Sequence, residues 1–296
     1  MLKIVLVLQV LILALFGLLL FYVQNTIGDL STQVSSAMVV IEDMKKVLPE
    51  IEIAIENFNQ LEIAWRWQSA DFRIPPDQLY PTGDYRATPL YVNGVIYTTT
   101  NHSQVAAIDP ISGEELWVFD PESYRLTVGR GASSTRGIEY WTDGEIERIF
   151  IATRGKQLVS IDIRTGLPDE NFGDNGFVDL RGDFGKSIDE FNLDNITHGS
   201  PPIALGSSVI VGSSLFDYTE FNRNPPGHVR AYDAYTGQFK WRFNTIPQQG
   251  DDFTETWEND SWRKMGNTNV WTFMSADDEA GIVYLPIATP TNDYWG

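Results

Sequence analysis

The chain has 296 residues, enough for one large domain or two small ones. Its 21 Lys and Arg stand against 40 Asp and Glu, a formal net charge of −19, which argues against a nucleic-acid partner because phosphate backbones are repelled. Cysteine is absent, which excludes disulfides, thiolate metal sites, a cysteine nucleophile and a lipid-bearing N-terminal Cys.

Ile4 to Val23 is nearly continuous Leu, Val, Ile and Phe, long enough for the bilayer core. No small-residue cleavage site follows Val23, so residues 1–24 are expected to stay as a transmembrane anchor. Lys3 precedes the span, and Asp29, Glu42 and Asp43 follow it. The expected placement is a single pass of the inner membrane, with the remainder in the periplasm. Residues 25–61 read as a helical stalk. Ile27, Leu30, Val34, Ala37, Ile41, Met44, Leu48, Ile51, Ile55 and Phe58 step by three and four, as a heptad seam does. Two readings stand for it: a coiled coil that makes the protein a homo-oligomer, or an amphipathic helix packed on its own domain.

From residue 62 to 296 the texture is β. Ala64-Trp-Arg-Trp67 reads as a strand. Thr88 to Tyr97 reads as a hairpin with an Asn-Gly turn. It leads into Asp109-x3-Gly113-x3-Trp117, a unit repeated as Asp233-x3-Gly237-x3-Trp241 and, in its first half, as Asp162-x3-Gly166. Each reads as strand, tight turn, strand, with glycine supplying a positive φ. A second blade uses Arg148–Thr153 and Gln157–Gly166, a third runs from Ser200 to Phe243, and a fourth opens with Val270–Ser275 and Ile282–Leu285. Four-stranded repeats of this kind build a β-propeller, an all-β fold that needs about 4 to 8 blades to close. Three blades and part of a fourth are present, so the ring is expected to be incomplete.

These residues resemble the membrane-bound quinoprotein dehydrogenases of the glucose and quinate dehydrogenase type, which are eight-bladed propellers. The most specific matches are Asn171-Phe-Gly-x2-Gly-x-Val-Asp-Leu180, Val209-Ile-Val-Gly-Ser-Ser214 and Gly281-x-Val-Tyr-Leu-Pro286 with Asp293-Tyr-Trp-Gly296. The resemblance covers about the first half of such a propeller. It implies pyrroloquinoline quinone (PQQ) with Ca²⁺ or a lanthanide, an alcohol or sugar substrate, and a membrane quinone or cytochrome as electron acceptor.

Carried over by motif, Arg136 in Thr135-Arg-Gly137 implies a contact to the quinone, for which a guanidinium fork suits carboxylates. Ser200 and Ser214 are implied cofactor contacts, and Trp271 the floor under the cofactor ring. The metal is implied at Asp217, with Thr291 and Asp293 in the segment that supplies further oxygen. The family's catalytic Asp lies after the Asp-x-Trp-Gly motif, so the base is expected beyond residue 296. Three departures stand out. Thr135 takes a Cys place, Arg86 stands where Glu is usual, and Tyr218 stands where Asn is common. Asp251 to Trp262 is an acidic-aromatic insertion without an assigned role. His102, His198 and His228 read as surface or hydrogen-bonded side chains rather than ligands. The competing function is a non-catalytic propeller acting as a membrane-anchored, protein-binding scaffold.

Overall fold

The structure, a computed structural model, describes residues 11–16, 38–49, 61–75, 85–126, 135–184, 195–215 and 225–290. The chain divides into two compact units, residues 1–63 and 64–296. In the first, residues 11–16 and 38–49 are helical. Among the described residues no helix is long and apolar enough to cross a membrane; most of the Ile4 to Val23 span lies outside them. Around residues 38–49 the helix carries Lys45–Glu42 and Lys46–Asp43 pairs one turn apart, and Ile41 of the apolar seam is exposed.

The second unit is built from four-stranded antiparallel sheets. The first takes β1 (Leu90–Val92), β2 (Val95–Thr99), β3 (Val105–Ile108) and β4 (Glu115–Phe119), in that order. The second takes β5 (Glu139–Thr142), β6 (Glu147–Ala152), β7 (Gln157–Asp162) and β8 (Phe177–Asp179). After the short strand β9 (Ile196–Thr197), the third sheet begins with β10 (Ile203–Leu205) and β11 (Ser208–Val211). Strand β12 (Ser214–Leu215) leaves that sheet to pair with β9. The sheet is completed by β13 (Val229–Asp233) and β14 (Phe239–Phe243). A last hairpin pairs β15 (Ser275–Asp277) with β16 (Ile282–Tyr284). The three full sheets and the hairpin are the expected blades.

The Asp-x3-Gly repeat has one physical cause in all three blades. The carboxylate accepts two backbone N–H bonds inside the turn: Asp109 from Ile111 and Ser112, Asp162 from Arg164 and Thr165, Asp233 from Tyr235 and Thr236. The glycine N–H then returns to the aspartate carbonyl at 2.8–2.9 Å, with φ between +71° and +75°. Backbone N–H donation, from Ser112 first, holds the Asp109 carboxyl below its usual value.

Trp117 docks on the next blade. Its ring lies where a Cβ on Gly166 would come within 2.6 Å, and its Nε1 donates to the Ile163 carbonyl at 3.1 Å. Trp65 does the same on Gly113, with Nε1 to Pro110 O at 2.8 Å. That geometry corrects the reading of Ala64–Trp67 as a strand: the segment has no ladder partner and is held by its two indoles, Trp67 donating to Glu115. At Gly237 no tryptophan arrives. The Val178 side chain and the Gly173 backbone fill the place, and Arg148, paired with Asp169, donates to the Ala234 and Tyr235 carbonyls.

Apolar residues fill the gaps between neighbouring sheets. Ile149, Ile151, Val159 and Ile161 face the first sheet; Phe150, Leu158, Phe172 and Tyr232 close the second against the third. Ile210, Val229, Ala231 and Val270 pack towards the last hairpin. The fourth blade's opening strand is shorter than read, beginning at Ser275, because the backbone of 267–270 is spent on other segments.

Candidate functional site

β10 lies between β5 and β15, so the first strands of successive blades stand side by side, and the segments that lead into them share one end of the blades. Three bonds tie these segments in series. Thr88 N donates to Arg136 O at 2.8 Å, Arg136 N donates to Gly199 O at 2.8 Å, and Ser200 Oγ donates to Val270 O at 3.3 Å. Residues 85–89, 135–138, 198–202 and 267–271 therefore form a continuous row across four blades.

Two of the expected site residues meet in this row. The Arg136 guanidinium lies over the Trp271 ring, 4.9 Å from its centroid, within cation–π range. Trp271 keeps 44% of its surface exposed, unlike the sheet-core tryptophan Trp141. Burial, and then the nearby Arg86 charge, pull the Arg136 guanidinium below its usual value.

Ser200 is buried and its hydroxyl is used within the row. Ser214 opens β12, and its Oγ is enclosed without a hydrogen-bond partner, as is that of the fully buried Ser213. Both follow Gly212, whose backbone is pressed against Val270 so closely that a Cβ would collide. A flat indole, a half-buried guanidinium and two orphaned hydroxyls suit a planar ligand bearing carboxylates. On these residues the site fits PQQ. Asp217, Thr291 and Asp293 lie outside the described residues, and among the described residues no group of three or more His, Cys, Asp or Glu is placed to hold a metal.

The histidines are buried, which corrects the surface alternative and leaves the hydrogen-bonded one. His228 Nδ1 accepts from Thr245 N at 3.2 Å, and burial pulls its imidazole down to about 3. His198 Nε2 lies 3.2 Å from Arg230 Nη2. Burial first, then the Arg230 charge, hold it well below its usual value, so it is neutral and accepts that bond. Arg230 is itself wholly buried, donating to Leu180 O and Gly182 O and stacked on Phe184. This is a strut between two blades. No local sequence signal announced it, because its partners lie some fifty residues away.

The comparisons bear on this arrangement. Residues 43–296 match the family model "PQQ: Glucose/ethanol/alcohol dehydrogenase, beta-propeller domain". The chain belongs to this family. Quinoprotein glucose dehydrogenase A of Acinetobacter calcoaceticus is 28% identical over 272 residues, covering 84% of this chain and 32% of the relative. Quinohemoprotein alcohol dehydrogenase ADH IIB of Pseudomonas putida is 30% identical over 251 residues, covering 80% and 31%. A solved quinohemoprotein alcohol dehydrogenase, ADHIIG of Pseudomonas putida HK5, superposes with a TM-score of 0.56 at 26% identity, over 72% of this chain and 29% of that one. The chain thus spans about a third of the length of its curated relatives. Within this PQQ family, the row of entry segments is where this chain brings Arg136 over Trp271.

Proposed function

We propose that this chain supplies one side of the cofactor site of a PQQ-dependent dehydrogenase that oxidises an alcohol, sugar or polyol. The observation that carries the reading is Arg136 resting on the half-exposed Trp271 ring beside the Arg86 charge, in an otherwise acidic protein. When bound, PQQ supplies the two-electron acceptor for a CH–OH group. The chain's own residues bind and orient. Trp271 offers a flat apolar floor, Arg136 offers forked donors for carboxylate or quinone oxygens, and the Ser214 hydroxyl has hydrogen-bonding capacity left over. Asp217, Thr291 and Asp293 are the proposed oxygen donors to Ca²⁺ or a lanthanide, which take carboxylate and neutral oxygen ligands.

The proposed address is the periplasmic face of the inner membrane, held by the Ile4 to Val23 span, with electrons leaving to a membrane quinone or a cytochrome. The scaffold reading is less well supported, because the family model matched over residues 43–296 is one of dehydrogenases.

The test is equilibrium titration of the whole chain with PQQ in the presence of Ca²⁺, read by tryptophan fluorescence. Arg136→Ala is expected to weaken binding by about 10- to 100-fold, the worth of a charge-assisted hydrogen bond. PQQ affinity unchanged in Arg136→Ala would overturn the proposal.

A further inference from the structure

His198 stands where two sets of bonds meet. It is 1% exposed and directly follows β9, whose Thr197 is paired with Ser214 of β12. The next two residues make the ties of the row. Gly199 O accepts from Arg136 N at 2.8 Å, and Ser200 Oγ donates to the carbonyl of Val270, the residue before Trp271, at 3.3 Å. Residues 198–200 therefore reach both members of the cation–π pair, Arg136 through its own backbone and Trp271 through its neighbour's.

Gly199 has no side chain to fix the direction of its carbonyl, so the flanking residues set it. On one side that residue is Ser200, with its hydroxyl engaged. On the other it is His198, whose Nε2 lies 3.2 Å from Arg230 Nη2. A guanidinium has donors only, so the imidazole accepts. Arg230 is a firm anchor. Its Nη1 donates to Leu180 O at 2.6 Å and to Gly182 O at 2.8 Å, and its guanidinium lies 3.9 Å from the Phe184 ring centroid. The other imidazole nitrogen, Nδ1, is enclosed without a partner. With Nε2 accepting, Nδ1 carries the proton of the neutral ring, and an enclosed N–H left unmet costs free energy. Two apolar side chains in place of the pair would serve stability as well or better. The imidazole is therefore explained by what it holds in place.

We infer that His198 is a positioning residue: anchored by Arg230, it sets the Gly199 carbonyl that holds Arg136 over Trp271. The guanidinium is then in place before any ligand arrives, which spares a bound ring the cost of ordering it. The inference rests on the reading of the Arg136–Trp271 pair as a cofactor surface, and extends it to a residue that touches no ligand.

The experiment observes the pair itself, by fluorine NMR of the full chain labelled with fluorotryptophan and without cofactor. Trp271→Phe assigns the Trp271 resonance, and Arg136→Ala marks its position with no guanidinium over the ring. His198→Leu removes the acceptor. It is expected to move the resonance most of the way to the Arg136→Ala position, and to add no shift in the Arg136→Ala background. His198→Gln offers another acceptor to Arg230 and is expected to keep the wild-type position. Because His198→Leu leaves a buried Arg230 donor unmet, its thermal midpoint is expected to fall. The double variant His198→Leu with Arg230→Met removes both partners, and is expected to recover the midpoint while the resonance stays displaced. A wild-type Trp271 resonance in the folded double variant overturns the role. So does an equal displacement in the Arg136→Ala background, the mark of general loosening, or the failure of both His198→Leu proteins to fold, which assigns His198 to the fold as a whole. PQQ titration of Arg136→Ala tests the cofactor reading separately, so either can fail while the other stands.

Discussion

Glu139 sits at the head of β5 and reaches the neighbouring blade, its Oε1 accepting from Ala204 N at 2.9 Å. Burial first, and Asp278 with it, push its carboxyl up to about 7, against the bond from Ala204 that pulls it down. A carboxyl raised in the folded state favours folding in its protonated form. That contribution is whole below about pH 4.5 and is lost as pH rises through about 7. Glu139→Gln keeps an acceptor for Ala204 without the charge. The variant is expected to gain on wild type between pH 5 and 8, by roughly 3 kcal/mol as an upper bound, measured by urea unfolding across that range. His198 and His228 act in the opposite sense, losing stability as pH falls below 6.5, so the difference between the two proteins is the quantity to read. Equal pH profiles would show that the carboxyl is solvated.

At the scale of the element, each blade is clipped to the next, and the clip changes character along the chain. Trp65 and Trp117 dock on a glycine turn and donate to a carbonyl one residue past the aspartate. At the third turn the equivalent carbonyl, Ala234 O, is met by Arg148, itself paired with a nearly buried Asp169. Breaking such a pair leaves a charge without its partner, so Arg148→Met is expected to cost about 3–5 kcal/mol. The double variant Arg148→Met with Asp169→Leu is expected to recover most of that loss, since an apolar pair of similar volume is often neutral or better. A double-mutant cycle by chemical denaturation checks both figures. Additive losses would show that the ion pair is not the clip. The repeat Asp-x3-Gly was legible in the sequence because its bonds close within five residues. The substitution of Arg148 for a tryptophan was not, since its carbonyl partners lie 86 and 87 positions away.

For the whole molecule, the two units carry separate expectations. The heptad seam of the first unit predicts that a peptide of residues 25–60 forms an oligomeric helix, checked by sedimentation equilibrium and circular dichroism. An unstructured monomer at high concentration would leave only the packed-helix reading. In residues 38–49 the helix is present, with Ile41 of the seam exposed and Met44 and Leu48 partly buried. In the second unit, the row of entry segments brings Arg136 over Trp271.

Periodicity and turn chemistry by themselves determined the blades, because strands, Asx turns and positive-φ glycines are set by neighbours within a hairpin. Motif matching named Arg136, Ser200, Ser214 and Trp271 one by one, but nothing local could place them together. Only the tertiary structure decided that Arg136 covers Trp271, that the three histidines are buried, that Ala64–Trp67 is held by indoles rather than a ladder, and that His198 meets Arg230. The reason is the same in each case. Burial and hydrogen-bond satisfaction are properties of surfaces brought together from blades that are dozens of residues apart, and a chain read in order carries no record of which surfaces those are.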